Sequence, residues 1–75
     1  MLAKHHFIVK SLDEWKAYEA RLVKAGYRIF STQNDYDGGY NISLWATDKP
    51  VVEFKSYDAE VGKAMFAYPL RTKID

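Results

Sequence analysis

Between Ser11 and Tyr27 a start signal, a repeat and a stop signal all specify one helix, and that helix constrains what the remaining residues can do. Ser11 is placed to cap free amides, and Glu14, three residues on, completes an S-x-x-E capping box. Apolar residues recur at Leu12, Trp15, Tyr18 (with the stem of Glu19 as the alternative), Leu22 and Ala25. Those spacings of three and four form one stripe at the α-helical period. Asp13, Glu14, Lys16, Arg21 and Lys24 fall on the other side, acids first and bases later, as the helix dipole favours. Gly26 stands where a left-handed residue ends a helix. A helix with one apolar stripe needs a sheet to cover.

The sheet is read from alternation. His6–Lys10 predicts a first strand, with Phe7 and Val9 on one face and Ile8 on the other, away from a bare edge because both faces are apolar. Tyr27–Gln33 predicts a second strand whose alternation is not clean. Asn34–Gly39 is a dense turn signal that predicts a hairpin loop with Tyr36 exposed. Tyr40–Thr47 sets Tyr40, Ile42, Leu44 and Ala46 against Asn41, Ser43, Trp45 and Thr47; in Val51–Tyr57, Val52 and Phe54 oppose the rest. A three-residue loop, Asp48–Pro50, would pair Ala46 with Val52 and Leu44 with Phe54, and bring Trp45 opposite Glu53 and Ser43 opposite Lys55. Asp58 is placed to cap a short helix over Ala59–Ala67, with Val61, Met65 and Tyr68 on one side, weakened at Gly62 and stopped by Pro69. The tail Leu70–Asp75 reads as an edge strand or a loose arm. The expected fold is α+β: a single domain over residues 1–75 in the order βαβββα, an antiparallel sheet with one main helix on one face.

From Ser11 onward the order αβββα resembles the double-stranded-RNA-binding domain. That family sets a lysine cluster at the start of its last helix on phosphates. Here the place holds Asp58, Ala59, Glu60 and only Lys63, so the likeness is one of element order. The run DEWKAYEARLVKAGYRIF, Asp13–Phe30, followed by an aromatic hairpin, resembles small accessory proteins encoded by bacteriophages. That resemblance implies a protein that binds and redirects a host enzyme or a nucleotide signal.

Chemistry-bearing patterns are few. His5 and His6 are strand neighbours that point to opposite faces, so they do not converge on a metal. Asp35 and Asp37 begin like a calcium loop, but the sixth position is Tyr40 rather than glycine. Asn41-Ile42-Ser43 matches a glycosylation sequon, which has meaning only in a secreted chain. There is no G-x-S-x-G elbow, P-loop or dinucleotide fingerprint, so the chain reads as a non-enzyme without a cofactor. With no cysteine, disulfides and thiolate metal sites are excluded. No apolar run reaches the roughly 18 residues of a membrane span, and MLAKHHFIVK lacks the apolar core of a signal peptide, so a cytoplasmic location is expected.

A net charge of +1 lacks the basic excess of a dedicated nucleic-acid binder. Two Trp, six Tyr and four Phe exceed what the core of a 75-residue chain can hold, so some should be exposed. The leading expectation is a protein-interaction module or inhibitor using Trp45, Glu53, Lys55, Tyr57 and Tyr36. The alternative is nucleic-acid binding, with Arg28, Lys55, Arg71 and Lys73 on phosphates and the same aromatics stacked on bases. The plain structural alternative for Trp45 is cover by the C-terminal segment. A thin core and an edge at Leu70–Ile74 further predict a homodimer.

Overall fold

The computed structural model describes residues 4–69. Six elements follow one another: β1 (Lys4–Ile8), α1 (Leu12–Ala25), β2 (Arg28–Asn34), β3 (Tyr40–Trp45), β4 (Val51–Ser56) and α2 (Ala59–Phe66). They make an α+β fold in which two helices lie on a four-stranded sheet of order β1-β4-β3-β2. The slab measures 31 × 30 × 18 Å, thick enough for two layers, and among the described residues no layer lies over the second face of the sheet, whereas the C-terminal segment expected over Trp45 lies outside them.

α1 starts and stops where its sequence signals lie. The Ser11 hydroxyl accepts from the Glu14 amide at 3.1 Å, and the Glu14 carboxylate accepts from the Lys10 amide at 2.8 Å. The reciprocal bond thus reaches one residue further back than in the usual capping box. Gly26 takes φ +85°, and the Tyr27 amide reaches back to the Leu22 carbonyl at 3.0 Å, closing a Schellman end. Trp15 and Leu22 are buried, whereas Ala25, expected in the stripe, is exposed at the last turn.

β2, β3 and β4 form the antiparallel meander that short loops require. β1 departs from expectation: it pairs with β4 in parallel, so the sheet is mixed and β1 lies at an edge. Its two apolar faces do not place it inside, because Phe7 stacks on Phe54 at 5.1 Å while Ile8 stays 57% exposed. The pairings run β1 and β2 in the same direction at opposite edges, so α1, which joins them, must cross the sheet. One main helix does not suffice for the cover; α2 shares it, seating Val61 and Met65 in the core.

The β3–β4 register also differs from expectation. Leu44 pairs with Val52 and Ile42 with Phe54, two residues from the expected match, because the connection is Ala46–Pro50 rather than Asp48–Pro50. The Lys49 amide bonds the Ala46 carbonyl, and Asp48 at φ 61° makes the turn. A shift of two keeps every side chain on its face, so Ile42, Leu44, Val52 and Phe54 still point to the helices and are buried. In β2 the register slips between Ile29 and Ser31, a β-bulge that accounts for the unclean alternation there.

The core gathers Val9, Trp15, Leu22, Ile42, Leu44, Val52, Phe54, Val61, Met65 and Tyr68. Trp15 meets Phe54 edge-on at 5.4 Å and Tyr68 at 6.2 Å, and Tyr18 packs on Phe54 at 5.0 Å. Among the described residues the buried Trp15 Nε1 has no hydrogen-bond partner, a cost the aromatic packing must offset. The Tyr68 hydroxyl donates to the Tyr27 carbonyl at 2.8 Å, and the Tyr27 hydroxyl donates to the Pro50 carbonyl at 2.7 Å. Burial, aided by the charge of Glu19, pushes the Tyr68 phenol up to about 12. Gly62 is no mere weak point in α2. A β-carbon there would overlap the Tyr40 ring, so glycine is what lets the helix approach β3.

Candidate functional site

Strand parity sends Trp45, Ser43 and Asn41 of β3 to the bare face, together with Glu53, Lys55 and Val51 of β4 and Arg28 and Ser31 of β2. The β2 bulge turns Phe30 toward the same side, where it lines a groove with Ser31, Ser43, Trp45, Val51 and Glu53. The groove holds about 490 Å³ and is open to solvent along the face. Trp45 is 43% exposed and Phe30 72%. Most exposed large apolar side chains, Ile8, Phe30, Trp45 and Tyr57, belong to this face; Ile29 points the other way and Tyr36 sits on the loop.

The expected residues separate into three places. Trp45 and Glu53 share the groove, although Trp45 pairs with Arg28 and not, as expected, with Glu53. Ser43, not Trp45, is the cross-strand partner of Glu53, and its hydroxyl donates to Glu53 Oε2 at 3.0 Å. His6 Nδ1 lies 2.9 Å from Glu53 Oε1. The order serine–carboxylate–imidazole leaves the carboxylate in the middle, so His6 cannot take a proton from Ser43 as a catalytic base does.

Lys55 and Tyr57 belong to a second cluster with the β2–β3 loop. Lys55 Nζ is 3.1 Å from Asp35 and 3.2 Å from Asp37, and the Tyr57 hydroxyl donates to Asp37 at 2.9 Å. The Gly39 amide also donates to Asp37, at 3.1 Å. The Tyr57 hydroxyl first, and Lys55 next, hold the Asp37 carboxyl below its ordinary range. Asp35, then Tyr57 and Asp37, push the Lys55 ammonium upward. Two aspartates and one lysine here form a latch that ties the loop to β4. Tyr36, on the loop between β2 and β3, is fully exposed.

Of the alternative phosphate ligands, Lys55 is engaged by the two aspartates and Arg28 is exposed beside Trp45. Arg71, Lys73 and the edge expected at Leu70–Ile74 lie outside the described residues. Among the described residues no group of histidines and acids could hold a metal, and no helix is long and apolar enough to cross a membrane. Phe30, Ser31 and Val51 line the groove but were not among the expected site residues, although alternation had already set Val51 on the face of Glu53. The signal for Phe30 was present in the broken alternation of Tyr27–Gln33, which a bulge produces and a regular strand does not. No family model, curated protein or solved structure matches this chain.

Proposed function

We propose that the protein is a non-enzymatic interaction module that docks a protein partner on the bare face of its sheet, with Trp45 as the anchor. The observation that carries this reading is the gathering of Trp45, Phe30 and Val51 around one open groove on the sheet face opposite α1 and α2. A rigid aromatic with a polar surround is the usual composition of an interface anchor. The occupant fitted by this chemistry is an apolar or aromatic side chain of the partner, because the walls are apolar and only Ser31, Ser43 and Glu53 are polar. A nucleic acid fits less well. Glu53 places a carboxylate where phosphates would run, and Lys55 is neutralised by Asp35 and Asp37. In the groove the Glu53 carboxylate stands between Ser43 and His6, so no serine–histidine pair is assembled, which supports a binding role over a catalytic one. A host protein, which the Asp13–Phe30 likeness to phage accessory proteins implies, is the partner to assay first.

The test is quantitative binding to a partner recovered from nuclease-treated host lysate. Trp45→Ala should weaken that binding by about 2 kcal/mol or more while leaving circular dichroism unchanged. Equal affinity of Trp45→Ala and the native chain rejects the groove as the docking site. Affinity that collapses with added salt and needs untreated lysate assigns the face to nucleic acid instead.

A further inference from the structure

The two edges of the sheet are not alike. β1 is only five residues long, and a short edge offers a further strand little to pair with. β2 is longer. Its seven residues contain no proline or lysine, and its single charge, Arg28, stands at the first position. All seven are exposed, including Ile29 and Phe30, which face opposite sides. Past the bulge, Ser31, Thr32, Gln33 and Asn34 run in regular register with β3, so alternate amides and carbonyls on their far side point away from the sheet.

We propose that β2 is the dimer edge of this protein: two copies pair β2 with β2 in antiparallel fashion, joining their sheets into one of eight strands. An antiparallel edge is complementary to its own copy about a two-fold axis, whereas a foreign strand needs a matching register. A pairing centred on Thr32 opposes Ser31 to Gln33, sets no like charges against each other and holds the two Arg28 side chains at opposite ends. With a net charge of +1 per chain, the copies scarcely repel. The two-fold stands perpendicular to the sheet, so both helix layers share one side and both Trp45 grooves share the other. The dimer is then bivalent toward a partner. The edge itself stands whether or not the groove docks a protein.

Sedimentation velocity of the full chain over a wide concentration range tests the edge. The 8.7 kDa species should give way to one of twice that mass as concentration rises. Thr32→Glu and Thr32→Lys, each placing like charges near the axis, should stay monomeric at concentrations where the native chain is dimeric, and their mixture should recover the dimer. Hydrogen exchange on the native chain needs no variant: amides within 31–34 should gain protection as concentration rises. A monomer at every concentration overturns the proposal, as does a Thr32→Glu chain that dimerises like the native one. Protection that ignores concentration also overturns it and assigns the edge to other residues of the same chain.

Discussion

Leu44 and Trp45 are neighbours in the chain and opposites in setting. On the helix side of the sheet Ile42, Leu44, Val52 and Phe54 are each less than a tenth exposed and surrounded by α1 and α2. On the other side Trp45, Phe30 and Ile8 stand in solvent with serines, Glu53 and Lys55 between them. Both faces belong to the same strands and carry large apolar groups, so composition does not separate them. What separates them is cover. The helix side is buried by α1 and α2, while the bare side retains apolar surface that none of the described residues takes out of water.

The largest effect that tests this contrast is Leu44→Ala. Loss of a wholly buried side chain between two layers should cost about 2–5 kcal/mol, read as a shift of the urea midpoint. For a chain of this length that is enough to unfold much of the population. Trp45→Ala, measured beside it, should move the midpoint little. Equal losses would make both faces structural and remove the groove as a candidate for recognition.

Next in size is Gly62→Ala, which probes how the cover is seated. Its β-carbon would overlap Tyr40, so α2 must lift or the ring must turn, at a cost of about 1–3 kcal/mol for overpacking. Helix propensity works the other way, favouring alanine by roughly 1 kcal/mol. The expected net result is destabilisation. In a Tyr40→Ala background the overlap is gone, and Gly62→Ala should become stabilising. If Gly62→Ala stabilises the native background as well, α2 does not sit against Tyr40 as described.

The helix-side face was legible because alternation has a period of two. An error of two residues in the β3–β4 register left Ile42, Leu44, Val52 and Phe54 on the correct side. The capping of α1 and α2 was legible because Ser11, Gly26 and Asp58 act on amides and carbonyls within a few residues of themselves. The parallel partner of β1 was not, since Phe7 meets Phe54 across 47 positions and no local pattern encodes that pairing. Gly62 read as a defect for the same reason: its meaning lies in Tyr40, which is distant in sequence. At the candidate site, parity placed Trp45 on the bare face, but the bulge that adds Phe30 and the aspartates that occupy Lys55 are products of tertiary geometry.

The smallest expected effect belongs to the bare face itself. Asp37 accepts from Tyr57, Lys55 and the Gly39 amide, so three donors converge on one carboxylate of that side. Being exposed, it should order the loop without adding measurably to global stability. Its carboxyl is held below the ordinary range, so the latch is intact above the pH where an unfolded aspartate titrates and is lost as pH falls through the lower, folded value. An NMR titration should therefore show the Gly39 amide and Tyr57 ring signals moving together below the usual aspartate midpoint. Asp37→Asn should abolish that transition and speed amide exchange in the loop, with the melting midpoint nearly unchanged. A large drop in melting for Asp37→Asn would contradict the contrast between faces, because it would make an exposed polar cluster on the bare side as important to folding as the residues the helices cover.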